Sequence, residues 1–246
     1  DYAVDLCRDE FGVDAVQVLD PVFMCDKRHY FRCIDESALN RNPPKKKYVL
    51  AYILDPTEEK QRLLEETARR MDADLLVIPN AVVRSDMRAA WYLPLLENID
   101  MEDWLYYFSH AEMVITDSFH GTCFSIIFEK PFIAIGNKRR GLERFHSLLN
   151  NFGLTDRLVL SPGEALKREE LFSQPIDYVS VNQALDALRS ESMEWLRNAL
   201  NSEKRAPVYS AYDLLDRRID QLYALVEKIP QEITGQQAFQ QDNHVA

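Results

Sequence analysis

"YVLAYILDPTEEKQRLLEETARRMDADLLVIP" spans residues 48–79, and its reading decides the fold. Tyr48 to Leu54 is an uninterrupted apolar run, the pattern of a strand buried on both faces. A charged segment of helix length follows. Asp55 is placed at the N-cap, Pro56 at the first helical position and Glu58 three residues past the cap, which predicts a capping box. The helix is expected to end near Met71. Asp74 to Pro79 then reads as a second buried strand. Two such strands joined by a helix mean a right-handed crossover onto a parallel sheet.

Outward from this unit the alternation continues. Met101 to Glu112 reads as a helix, "MVIT" (113–116) as a strand and "TCFSIIFEK" (122–130) as a helix. "FIAIG" (132–136) is a strand, "GLERFHSLLNNFG" (141–153) a helix stopped by Gly153, and "RLVL" (157–160) a strand. The predicted fold is therefore α/β, a Rossmann-like parallel sheet flanked by helices. Upstream, "DYAVDLCRDEFG" (1–12) reads as a helix stopped by Gly12, "AVQVLDP" (15–21) as a short strand ended by Pro21, and Asp26 to Leu39 as a helix. Asn40 to Lys47 reads as a linker. Downstream, helices are expected at about 181–201 and 209–229, before a polar tail expected to be disordered. The expected division is residues 1–42 as the end of a truncated N-terminal domain, 43–175 as the Rossmann-like domain, 176–230 as C-terminal helices and 231–246 as tail. The sequence opens on Asp1 inside a helical pattern, so a preceding domain is expected.

The charge balance narrows the partners. The net charge is −11, and such a surface repels nucleic acid and anionic membranes. Cys7, Cys25, Cys33 and Cys123 form no C-x-x-C pair, and no His stands at zinc-finger spacing from them. They point to a reduced, cytoplasmic setting, with peripheral placement at the inner face of a membrane compatible with it. No apolar run reaches the length of a membrane span, and no signal-peptide pattern is seen. G-x-G-x-x-G, Walker A, H-E-x-x-H and G-x-S-x-G are all absent from the sequence.

One cluster stands out. Asp117 to Thr122 lies where a parallel strand gives way to a helix, the position at which open sheets bind ligands. The helix N-terminus offers free N–H groups and a positive dipole end, Gly121 permits close approach, and His120 places an imidazole, a side chain suited to proton transfer, at the same point. The next strand ends at Gly136, followed by Asn137, Lys138, Arg139 and Arg140, with Arg144 one turn on. Together they make sense as an anion site with a proton donor beside it. Plainer readings stand next to this one. Asp117 or Ser118 serves equally well as a helix cap, His120 as a half-buried structural residue, and the basic run as a solvated loop. Trp104, Tyr106, Tyr107 and Phe108 read as core or an interdomain face. Asp20-Pro21 reads as strand termination first and as part of a site second.

"TDSFHGTCFSIIFEKPFIAIGNKRRGLERFHSLLNNFGLTDRL" (116–158) resembles the polysaccharide pyruvyl transferase family. The similarity extends upstream through "WLYYFSHAEMVITDSFHG", "YVLAYIL" and "VDLCRDEFGVDAVQVLDPVFM", and so covers most of 1–160. It implies a fold like the C-terminal half of a two-domain B-type glycosyltransferase, with residues 43–175 binding the donor. It also implies transfer of pyruvate as a ketal from phosphoenolpyruvate to a sugar, or a lipid-linked oligosaccharide, in cell-surface or exopolysaccharide synthesis. Phosphoenolpyruvate is the donor substrate and no other cofactor is implied. His120 would be the general acid/base. Ser118, Gly121, Thr122, Asn137, Lys138, Arg139, Arg140 and Arg144 would bind the substrate. One departure stands out: well-known members carry R-L-H where this chain has Ser118-Phe119-His120, so Arg140 or Arg144 would have to supply the missing charge. A nucleotide-sugar glycosyltransferase of the same fold and a non-catalytic module for an anion or glycan are the alternatives. A cleft between two domains needs both walls, so this stretch alone is expected to be inactive. Leu222, Tyr223 and Val226 of the last helix are expected to lie exposed or to meet a second copy of the chain.

Overall fold

The computed structural model describes residues 2–36, 44–79, 99–137, 141–202, 215–216 and 218–223. Five strands form one sheet: β1 (Tyr48–Ile53), β2 (Asp74–Pro79), β3 (Met113–Thr116), β4 (Phe132–Ile135) and β5 (Leu158–Val159). Every pairing is parallel, in the order β2-β1-β3-β4-β5. The α-helices among the described residues up to 202 are α1 (Tyr2–Phe11), α2 (Lys27–Glu36), α3 (Glu58–Met71), α4 (Met101–His110), α5 (Phe119–Ile127), α6 (Leu142–Asn151), α7 (Pro162–Lys167), α8 (Glu170–Ser173) and α9 (Tyr178–Asn201).

The apolar runs work because both faces of the sheet are covered. Val49, Ala51, Ile53, Val77, Met113, Ile115, Ile133 and Ile135 point to one side, into a core with Leu63 and Leu64 of α3, Ala165 of α7 and Leu171 of α8. Leu50, Val114, Phe132, Ala134 and Leu158 point to the other, against Phe108 of α4, Phe124 and Ile127 of α5, and Phe145 and Leu149 of α6. The strand order explains the division. The chain moves outward from β1 to β2 and then returns past β1 to β3, so right-handed crossovers place α3 and α4 on opposite faces. The fold is α/β, a Rossmann-like parallel sheet flanked by helices and followed by the long helix α9.

An outer layer lies over the α4–α6 face. Leu19, Phe23 and Ile34 are buried there together with Val181 and Leu185 of α9. Phe23 meets Phe152 at 5.5 Å between ring centroids, and Tyr30 meets Phe124 edge-on at 5.2 Å. Arg189 donates from Nε to the Phe23 carbonyl at 2.7 Å. Segment 19–36 thus shares the core of the sheet. Residues 1–199 form one compact unit and residues 200–246 a second, in which 215–216 and 218–223 are helical. The expected polar tail and the rest of the 209–229 helix, including Val226, lie outside the described residues. Among the described residues no helix is long and apolar enough to cross a membrane.

Two local expectations are corrected. Residues 15–20 form no strand. Gln17 instead donates to Ser147 Oγ at 2.6 Å, and the Leu19 N–H to Ser192 Oγ at 3.0 Å. The segment runs against α6 and α9, whose serine side chains take its polar groups, while Val16 and Val18 stay exposed. The N-cap of α3 is Thr57 rather than Asp55: Thr57 Oγ1 accepts the Lys60 N–H at 3.3 Å. Asp55 is occupied by the network described next. The stop at Gly12 is as expected, with φ of 60° and its N–H bonded to the Arg8 carbonyl at 3.0 Å.

Candidate functional site

The order β2-β1-β3 puts the topological switch point between β1 and β3, where an open α/β sheet usually opens a ligand crevice. Here protein fills it. Asp117 follows β3 directly and is 1 % exposed. Its carboxylate accepts the Leu54 N–H at 2.6 Å, the Asp55 N–H at 3.0 Å and Lys60 Nζ at 2.7 Å. Lys60 also donates to the Asp55 carbonyl at 2.7 Å. Asn137, just past β4, donates to the Asp55 carboxylate at 2.9 Å. The carboxyl ends of three strands are therefore laced together by one buried ion pair and its hydrogen bonds, and an anion at this point would meet a buried carboxylate.

The turn into α5 is equally well filled. Thr116 Oγ1 donates to the Tyr52 carbonyl at 2.6 Å and accepts the Ser118 N–H at 3.0 Å. Ser118 is the N-cap of α5, its Oγ accepting the Gly121 N–H at 3.3 Å. Thr122 is fully buried and donates to the Ser118 carbonyl at 3.1 Å. Gly121 is required by its neighbour: a Cβ there would come within 2.3 Å of Thr116 Oγ1. Ser118, Gly121 and Thr122 thus build the helix terminus, with their polar groups turned inward.

What this terminus presents outward is Phe119 and His120. The His120 side chain is 58 % exposed, and Nε2 lies 3.8 Å from Oδ2 of Asp20, a residue on the outer-layer segment. Asp20 caps the 3-10 turn Pro21–Phe23, accepting the Val22 N–H at 3.1 Å. The Arg144 guanidinium of α6 lies over the Phe119 ring, 5.1 Å from its centroid, and the His120 ring meets Phe119 edge-on with centroids 5.6 Å apart. Asp20, Phe119 and Arg144 line an open cleft of about 320 Å3 together with Gln17, Glu143, Ser147 and Asn151. The structure therefore brings a histidine, a carboxylate and an arginine to the exposed end of α5. Asp117 and Asn137 belong to the buried network instead, and Lys138, Arg139 and Arg140 lie outside the described residues. Cys123, one turn into α5, has its thiol pushed up far out of the physiological range by burial, so it is inert core rather than a nucleophile. Sequence reasoning missed Lys60 entirely and ranked Asp20 second. An i, i+3 capping pattern pointed at Asp55 and hid Lys60. Only the Asp-Pro dipeptide marked Asp20.

The sequence pattern of the polysaccharide pyruvyl transferase family matches residues 2–139, more than half of the chain. The chain belongs to the polysaccharide pyruvyl transferase family. The matched region holds the outer-layer segment, β1 to β4, the buried network and the start of α5, so Asp20 and His120 both fall inside it. Comparison with curated proteins gave no match. Among solved structures the chain is similar to UDP-GlcNAc 2-epimerase from Neisseria meningitidis, at 9 % identity and TM-score 0.43, covering 69 % of this chain and 52 % of that one. It is similar to the glycosyltransferase SnogD from Streptomyces nogalater at 15 % identity and TM-score 0.41, covering 64 % and 43 %. It is also similar to the wall teichoic acid polymerase TagF, at 13 % identity and TM-score 0.39, covering 82 % and 56 %. The chain spans about half the length of the solved structures it matches.

Proposed function

We propose that this chain is the donor-binding part of a transferase that moves pyruvate, as a ketal, from phosphoenolpyruvate to two hydroxyls of a sugar in a cell-surface polysaccharide or its lipid-linked precursor. The observation that carries the reading is the grouping of His120, Asp20 and Arg144 at the N-terminus of α5 in a member of this family. Phosphoenolpyruvate carries a phosphate and a carboxylate, which suit the guanidinium of Arg144. Arg144 supplies the positive charge that Ser118 cannot, and Lys138, Arg139 and Arg140 belong to the same donor site in this reading. Ser118, Gly121 and Thr122 contribute through the helix end they build.

The chemistry balances with one acid/base group. One sugar hydroxyl adds to C2 of the donor while C3 takes up a proton. The C2–O bond to phosphate breaks, and the second hydroxyl adds to the same carbon. Both hydroxyl protons are accounted for, one on C3 and one on the released phosphate. His120, exposed at the end of α5, is the residue assigned the role of proton carrier.

The test uses the full-length protein with phosphoenolpyruvate and a panel of sugar and lipid-linked acceptors, followed by phosphorus NMR. Inorganic phosphate released only when acceptor is present, with Arg144→Ala raising the KM for phosphoenolpyruvate about tenfold or more, supports the reading. Release of a nucleoside diphosphate from a sugar nucleotide, with phosphoenolpyruvate inert, replaces it with glycosyl transfer.

A further inference from the structure

We propose that Asp20 is a positioning residue that holds the His120 ring in its working orientation. The proposal rests on the transferase reading for its kinetic consequences and on geometry alone for its structural ones. His120 sits on the second residue of α5 and is largely exposed. A side chain in that situation samples several rotamers unless something fixes it. Asp20 is the carboxylate facing it, 3.8 Å from Nε2, an ion-pair distance that a small rotation of the ring converts into a hydrogen bond.

Asp20 is much better held than the residue it faces. Leu19 before it is buried, with its N–H bonded to Ser192 of α9, and Phe23 after it is fully buried against Phe152. The Asp20 carboxylate is oriented through one oxygen, Oδ1, by the Val22 N–H, which leaves Oδ2 turned to His120. A rigid carboxylate beside a loosely held imidazole favours the proton on Nε2 and leaves the Nδ1 lone pair as the working base. Arg144, over the Phe119 ring, and Glu143 are further charged groups on the cleft that Asp20 also lines. Asp20 thus both lines the cleft and lies 3.8 Å from the imidazole of His120. No spacing rule joins these residues; the outer layer places one on the other.

The test uses Asp20→Asn, which keeps the oxygen that caps the turn and removes the charge, in the full-length protein. In nitrogen-15 spectra of the neutral histidine rings, His120 should show a larger Nε2–H fraction than the exposed His146, and Asp20→Asn should erase the difference. In the phosphoenolpyruvate assay Asp20→Asn should lower kcat about tenfold or more with KM changed less than about twofold, Asp20→Glu should recover part of the loss, and Asp20→Asn should cost nothing further in a His120→Ala background. An unchanged tautomer ratio, or a loss that adds in full to that of His120→Ala, overturns the proposal. If no acceptor supports turnover of phosphoenolpyruvate by the wild type, the function reading fails while the nitrogen spectra still decide the role of Asp20.

Discussion

Lys60→Met is the sharpest perturbation of the scaffold. Methionine matches the length and apolar stem of lysine and removes only the ammonium. The Lys60 and Asp117 side chains are 9 % and 0 % exposed, so the charge left behind on Asp117 gains almost no water. Asp117 would keep two backbone donors, from Leu54 and Asp55, and lose the ionic one at 2.7 Å. Breaking a buried pair from one side costs about 3–5 kcal/mol, and the two remaining donors argue for the lower end, about 3 kcal/mol. For a cooperative unit of roughly 200 residues that lowers the Tm by about 6–12 °C. Urea unfolding followed through Trp104, which packs on the core, should show the same loss as a lower midpoint at unchanged slope. Asp117→Ala should cost more, because it also strands the two N–H groups. A Lys60→Met protein melting within about 2 °C of wild type would refute the idea that this ion pair holds the strand ends together.

Further outcomes follow from the same geometry. Gly121→Ala drives a Cβ to within 2.3 Å of Thr116 Oγ1 and should destabilise by about 1–3 kcal/mol, read as a drop in Tm. Glu66 is held at about 2 by hydrogen bonds from Arg69 and Arg70, below its ordinary 4.5. A depressed carboxylate stabilises above its unfolded pKa and loses that contribution as pH falls through the folded one, so Glu66→Gln should flatten the acid side of a stability–pH curve between about pH 4.5 and 2.

The sheet was legible because a parallel sheet covered on both faces writes itself as apolar runs. Tyr48 to Ile53 and Met113 to Thr116 each bury both faces, and no half-polar strand was needed to complete the order. Stops such as Gly12 were legible because they depend on one residue and its backbone. "AVQVLDP" misled because β-branched residues in alternation look the same beside a strand or across a helix layer, and only the fold says which. The candidate site was half legible. The turn at 117–122 stood out by composition, but the jobs inside it did not. Ser118 and Gly121 answer to each other and to Thr116, whereas Lys60 and Asp117 are 57 residues apart with no motif linking them. The Asp20–His120 approach is of the same kind, since it exists only once the outer layer closes over α5.

The central claim is that His120 carries the proton in pyruvyl transfer at the end of α5. Its most direct test is turnover of phosphoenolpyruvate by full-length His120→Ala and His120→Gln, with the Tm measured on the same samples. Because His120 is exposed and outside the core, both variants should melt like wild type. Turnover should fall roughly a hundredfold or more in both, since glutamine keeps a hydrogen bond but does not titrate, while donor binding survives. A His120→Ala protein that melts normally and turns over at close to the wild-type rate would contradict the account.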